Sequence, residues 1–364
     1  MATNPAPADW GPIEVTYHVR SYAFGERLIP ELLGKQGVPD GVVAETWEIS
    51  DHKDARASIL SGPFAGNTLH DLVESHPDEL VGQGWRGPHF PLLGKFLDAS
   101  HMLPVHLHAD DETAVRLYGE PHGKTEAWHI LWCKPGTTIL TGVKDGVTDD
   151  ELRAAFKAED YRSVMYEHPL APGDTVYVPG DILHSFGPDT LIFEIQQTSD
   201  LGQDVMPADL WGFCRSEEEW DAAIERVLAE LKRDYLPKPN PGLARADTSN
   251  GNRYVVGGAG PHFAIERWTL AGPHVEPSHP ERCLTVSNVG DPVTIRWAGG
   301  EQTLDRATSR ILPAAIGEVE ITPMAASGDL VVCYVPDLQR DIIDPLRAAG
   351  HSDDDIRALG EVGI

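Results

Sequence analysis

The chain has 364 residues, enough for two domains with a core each, and its 57 Asp plus Glu against 29 Lys plus Arg leave a formal net charge of −28. A field of that sign serves solubility and repels phosphate backbones and anionic lipid, which excludes nucleic acid and membrane surfaces as partners. No apolar run approaches the ~18 residues of a membrane span. Residues 1–9 lack the basic start and apolar run of a signal peptide, and Cys133, Cys214, Cys283 and Cys333 lie far apart with no Cys-x-x-Cys spacing. The expectation is a cytoplasmic protein whose cysteines are core or inert residues.

The first 200 residues mix short β-like runs with Gly/Pro turns, the pattern of a barrel. Two short helices interrupt them. Thr68 is placed to cap residues 69–74, and Thr148 with Glu151 has capping-box spacing ahead of Leu152 and Phe156. A longer helix starts at Ser216, with Glu219 three residues on. Trp220, Ala223, Ile224, Val227, Leu228, Leu231 and Tyr235 form its apolar stripe, read as core packing. The Pro-rich residues 237–242 end it as a linker. Short strands follow at 285–287, 293–297, 319–322 and 330–334, and residues 341–359 form one more helix interrupted near Gly350. His274 and His279 flank a Pro-containing loop off any strand period, so they are read as exposed loop histidines, a second metal site being the alternative.

The chemistry concentrates in His106-Leu107-His108. On a strand both imidazoles emerge on one face, about 7 Å apart along the backbone. They can converge on one divalent metal, with a later carboxylate to close the site; a pair of surface histidines is the bland alternative. Residues 173–184 read as turn, β-rich run, turn and then His184.

Gly173-x5-Pro179-x4-His184 resembles the second half of a cupin barrel, whose histidine reaches back to ligands of the first half. Leu103 to Asp111 (Leu-Pro-Val-His-Leu-His-Ala-Asp-Asp) is similar to Leu-Ser-Val-Gln-Val-His-Pro-Asp-Asp of the type I mannose-6-phosphate isomerases. Gly123-Lys124-Thr125-Glu126-Ala127-Trp128 looks like their Gly-Lys-Thr-Glu-x-Trp. Segments 44–50, 90–99 and 194–200 resemble further family motifs in family order, so the resemblance covers roughly residues 20 to 200.

The resemblance implies a mainly β fold of two cupin (jelly-roll) domains with a helical connector. Residues 1–205 would be the metal-binding catalytic domain, 206–248 a helix and linker, 249–336 a second, metal-free cupin-like domain, and 337–364 a helical tail. It implies one divalent metal, zinc first and manganese second, on His106, His108, Glu126 and His184. A general cupin pattern, His-x-His-x3-Glu-x6-Gly, instead fits Glu112 with Gly119; Glu126 is preferred because its motif is more specific. Lys124 and Glu194 match catalytic positions, Lys124 as an electrostatic clamp or proton-transfer group. Glu45, Lys95 and Asp204 are assigned to the substrate side.

The implied activity is aldose–ketose isomerisation of mannose or a related sugar or sugar phosphate through an enediol. The family often has Gln at the position of His106, and three histidines with one glutamate also occur in cupin oxidases and dioxygenases. That class is the alternative, followed by a non-catalytic sugar-binding relic. The family's Ser and Arg are Pro104 and Asp204 here, so an unphosphorylated sugar is expected, unless Asp204 points to solvent and Lys95 or Lys124 holds the phosphate. The oligomeric state has no sequence signal.

Overall fold

The computed structural model describes residues 10–246 and 248–364; residues 1–9, on which the signal-peptide reading fell, lie outside the described residues. The fold is mainly β. A six-stranded antiparallel sheet runs His18–Arg20, Glu45–Ile49, Leu92–Ala99, Thr190–Gln197, Glu126–Cys133, Thr175–Val178. Against it packs a five-stranded sheet ordered Gln203–Asp204, His106–Leu107, His184–Phe186, Thr138–Val143, Met165–Pro169. Most neighbouring strands are not consecutive in sequence, so the chain crosses repeatedly from sheet to sheet, as in a jelly roll. A second pair, of six and four strands, repeats the arrangement between Leu243 and Tyr334.

The strand Thr190–Gln197 is buried throughout, and its alternation shows why. Leu191, Phe193 and Ile195 join an apolar cluster shared with Ile265, Val331 and Cys333 of the second sandwich. Ile192 faces the other way, into the first sandwich, with Trp128 and Phe186. Glu194 and Gln196 share that inward face, because side chains alternate along a strand. A sheet covered on both faces can thus carry charge into the interior of the first sandwich.

Three capping boxes, Thr68 with Asp71, Thr148 with Glu151 and Ser216 with Glu219, start the helices Leu69–Ser75, Asp149–Lys157 and Glu217–Glu230. The last ends at Glu230, so Leu231 and Tyr235 of the predicted stripe fall beyond it. The linker is not free: Asn240 exchanges both backbone hydrogen bonds with Thr175, at 2.9 and 2.7 Å. The predicted C-terminal helix divides into Asp344–Ala348 and Asp353–Arg357, with Gly350 at φ 95° between them.

His274 and His279 are not the exposed loop histidines expected. His274 opens the strand His274–Glu276, and both Nε2 atoms rest on the Glu276 carboxylate, at 2.9 and 3.0 Å. Cys133, Cys283 and Cys333 are buried, whereas Cys214 is exposed. Among the described residues no helix is long and apolar enough to cross a membrane.

Candidate metal centre and its pocket

Strand register decides which side chains meet. His106 lies directly across from His184 on one side and Asp204 on the other. His108 follows on the same face, so His106 Nε2 comes within 3.1 Å of His108 Nε2 and 3.0 Å of His184 Nε2. Glu126 reaches in from the opposing sheet, Oε1 3.2 Å from His184 Nε2 and Oε2 3.3 Å from His108 Nε2. Glu112 sits exposed on a short helical turn capped by Asp110, so the fold brings Glu126, and not Glu112, to the histidines.

Tautomers follow from the outer nitrogens. Nδ1 of His106, His108 and His184 lies 2.7, 2.8 and 2.7 Å from the carbonyls of Pro104, Leu201 and Ile182. A carbonyl only accepts, so each Nδ1 carries the proton and each Nε2 turns a lone pair inward. Lys124 Nζ, 2.8 Å away, serves the lone pair of His108. Those of His106 and His184 face one another with no proton between them, an arrangement that calls for a cation. Burial holds the His106 ring far below the ordinary imidazole range and His108 down at about 4, so both are neutral at pH 7. Burial pushes Glu126 up, but Lys124 and His108 more than offset it, and the carboxyl stays well below its usual range. Three imidazoles and one carboxylate fit a divalent ion.

Gly123 admits its neighbour. A Cβ there would lie 2.3 Å from the Asp110 carbonyl carbon, and without one the Lys124 N–H donates to Ala109 O at 2.8 Å. The Lys124 ammonium then lies 3.0 Å from Glu126 Oε2 and 3.8 Å from Glu194 Oε1. Behind it, buried Lys95 Nζ is 3.2 Å from Glu194 and 3.7 Å from Glu45. Burial pulls the Lys95 ammonium down, yet Glu194 and Glu45 more than offset it, and it is held above the usual lysine range. Burial pushes Glu194 up to about 7 against the pull of Lys95. Tyr22, Phe24, Leu103 and Leu210 form an apolar wall of the same pocket.

Asp204 lines the pocket but is not the free carboxylate expected. Arg215 grips both its oxygens, Nη2 standing 2.8 Å from Oδ2, and Met206 N–H donates to Oδ1 at 3.0 Å. The charge expected to repel a phosphate is therefore neutralised locally.

Residues 7–127 match the family model for the phosphomannose isomerase type I catalytic domain. The probable mannose-6-phosphate isomerase GmuF of Bacillus subtilis (strain 168) is 29% identical over 286 residues, 78% of this chain and 88% of that protein. The crystal structure of the mannose 6-phosphate isomerase from Bacillus subtilis aligns with a TM-score of 0.77 at 25% identity, covering 88% of this chain and 99% of its own. The first third of the chain thus matches the type I phosphomannose isomerase catalytic domain, and the chain as a whole is similar to mannose-6-phosphate isomerases in sequence and fold. A mannose 6-phosphate isomerase structure bound with zinc and yttrium shares the fold, with a TM-score of 0.65 at 14% identity over 89% of this chain and 99% of its own. At this site, sequence reasoning passed over Asp200, Tyr22 and Arg215. Asp200 closes a quoted family segment and was the one that could have been found; Tyr22 and Arg215 stand in no motif, and only folding brings them to the pocket or its edge.

Proposed function

We propose that this chain is a metal-dependent aldose–ketose isomerase acting on mannose 6-phosphate, the sugar for which its relatives are named, or on a close analogue. The observation that supports it is the convergence of His106, His108, His184 and Glu126 beside the buried Lys124–Glu194–Lys95–Glu45 chain, in a chain similar to mannose-6-phosphate isomerases. Those four residues would hold the ion, zinc first and manganese second, by their donor chemistry. When bound, a divalent ion polarises substrate oxygens and stabilises charge developing on them. Isomerisation moves a proton between C1 and C2 through an enediol. Glu194, balanced near neutrality, is suited to take and return that proton. Lys124 sets a positive charge against the developing oxyanion, while Lys95 and Glu45 offer a donor and an acceptor to sugar hydroxyls. The apolar wall limits water at the reacting carbons.

A second reading rests on pocket charge. Five carboxylates, Glu45, Glu126, Glu194, Asp200 and Asp204, line the pocket against two lysines, Lys95 and Lys124. A divalent ion and Arg215 bring this to balance and leave no surplus cation for a phosphate dianion, which favours a free sugar. The deciding measurement is kcat/KM of zinc-loaded protein for mannose 6-phosphate and for mannose. Preference for the first supports the main reading, and preference for the second supports the free-sugar reading. Oxygen uptake without interconversion of either sugar overturns both.

A further inference from the structure

A second set of metal-ligating side chains lies apart from the pocket. Asp51 follows the strand Glu45–Ile49, His70 stands on the helix Leu69–Ser75, and His89 leads into the strand Leu92–Ala99. Their ligand atoms lie within 4.8 Å of one another. His70 Nδ1 is 3.1 Å from Asp51 Oδ1 and 3.2 Å from Oδ2, and His89 Nδ1 is 3.9 Å from Oδ2. Donors about 2.0–2.2 Å from a common ion stand at such mutual distances.

Two buried atoms here lack the hydrogen bonds that burial demands. Asp51 is fully buried; its Oδ2 accepts from Phe90 N–H at 2.9 Å, but its Oδ1 has no hydrogen-bond partner. His89 Nδ1 is also buried without one. A buried carboxylate oxygen and a buried imidazole nitrogen without hydrogen bonds, on residues whose ligand atoms converge, are what a missing cation leaves behind. His70 turns its outer Nε2 toward Glu74, 3.5 Å away, the carboxylate-behind-imidazole arrangement that orients a metal-bound histidine. Burial keeps the His89 ring below the ordinary imidazole range, which leaves a lone pair available. Arg56, its Nε 3.9 Å from Asp51 Oδ1, is a cation placed to compete, and its side chain is 40% exposed. His89 also borders a surface cavity with His52 and His122, which supplies an entry path.

We propose that Asp51, His70 and His89 form a second, structural site for a borderline divalent ion such as zinc, independent of the pocket. Two imidazoles and a carboxylate suit that ion, with water completing the shell. The ion would clip together the segments entering and leaving the two strands that carry Glu45 and Lys95.

The test uses metal-stripped full-length protein, dialysed against zinc and assayed by elemental analysis, with anomalous difference maps from zinc-soaked crystals. Wild type should hold two zinc ions, and His70→Gln/His89→Gln one, with sugar turnover unchanged. A His106→Gln/His184→Gln protein should still hold one, so failure of the pocket site and failure of this one read differently. An anomalous peak among Asp51, His70 and His89 supports the site. No peak there, or zinc content unchanged by His70→Gln/His89→Gln, overturns it.

Discussion

Glu126 brings its two oxygens 3.2 Å from His184 Nε2 and 3.3 Å from His108 Nε2, a geometry that an amide cannot reproduce with its charge. Glu126→Gln is therefore expected to weaken zinc binding well over tenfold, while Glu112→Gln, on an exposed turn, leaves it unchanged. Elemental analysis after equilibrium dialysis checks this, and the reverse result would return the carboxylate to the general cupin register. Glu194 touches Lys95 rather than the histidines. Glu194→Gln should lower kcat by about a hundredfold or more with zinc content intact. Retained kcat in that variant would remove Glu194 from proton transfer. At this scale the sequence offers candidate residues but not their partners: Asp204 is a candidate, whereas Arg215, which neutralises it, sits in a stretch without pattern.

Among the elements, those set by contacts a few residues long were readable. The capping boxes at Thr68, Thr148 and Ser216 each satisfy backbone donors within three residues, so the helix starts follow from local chemistry. Ser216→Ala should cost about 1 kcal/mol and lower Tm by about 2 °C, measured by thermal unfolding. No change would mean that packing of Trp220, Ile224 and Val227 alone holds the helix. Helix ends and linkers were less readable, because tertiary partners set them. The apolar stripe continues in sequence to Tyr235, yet the helix stops at Glu230, and the linker is pinned by Asn240 to the strand at Thr175.

For the whole molecule, metal and pH give two levers. An ion that binds only the folded chain stabilises it by mass action, about 4 kcal/mol at a thousandfold excess over Kd. Chelation should therefore lower Tm, and zinc should restore it; an unchanged Tm would mean that the stripped site was never loaded. In the second sandwich, burial pushes the Glu276 carboxyl up, but hydrogen bonds from His274 and His279 more than offset it and hold it at about 2, against an ordinary 4.5. Because the folded value is depressed, its contribution is present above about pH 4.5 and is lost as pH falls through about 2. The size is on the order of 3 kcal/mol. Wild type should exceed Glu276→Gln in Tm at pH 6, with the gap closing on acidification through that window. A gap independent of pH would show that Glu276 acts by packing alone.

Local sequence by itself determined the mainly β character, the capped helix starts and the candidate pair His106 and His108, to which the family resemblance added Glu126, His184 and Lys124 as candidates. Period-two alternation, capping chemistry and motif spacing act over a few residues and are written in the chain. Tertiary structure decided the rest: that Glu126 and not Glu112 meets the histidines, that Arg215 neutralises Asp204, that His274 and His279 are clamped rather than exposed, and that Asp51, His70 and His89 converge. Each depends on segments tens of residues apart meeting across sheets, where strand register and burial, rather than spacing along the chain, set the distances.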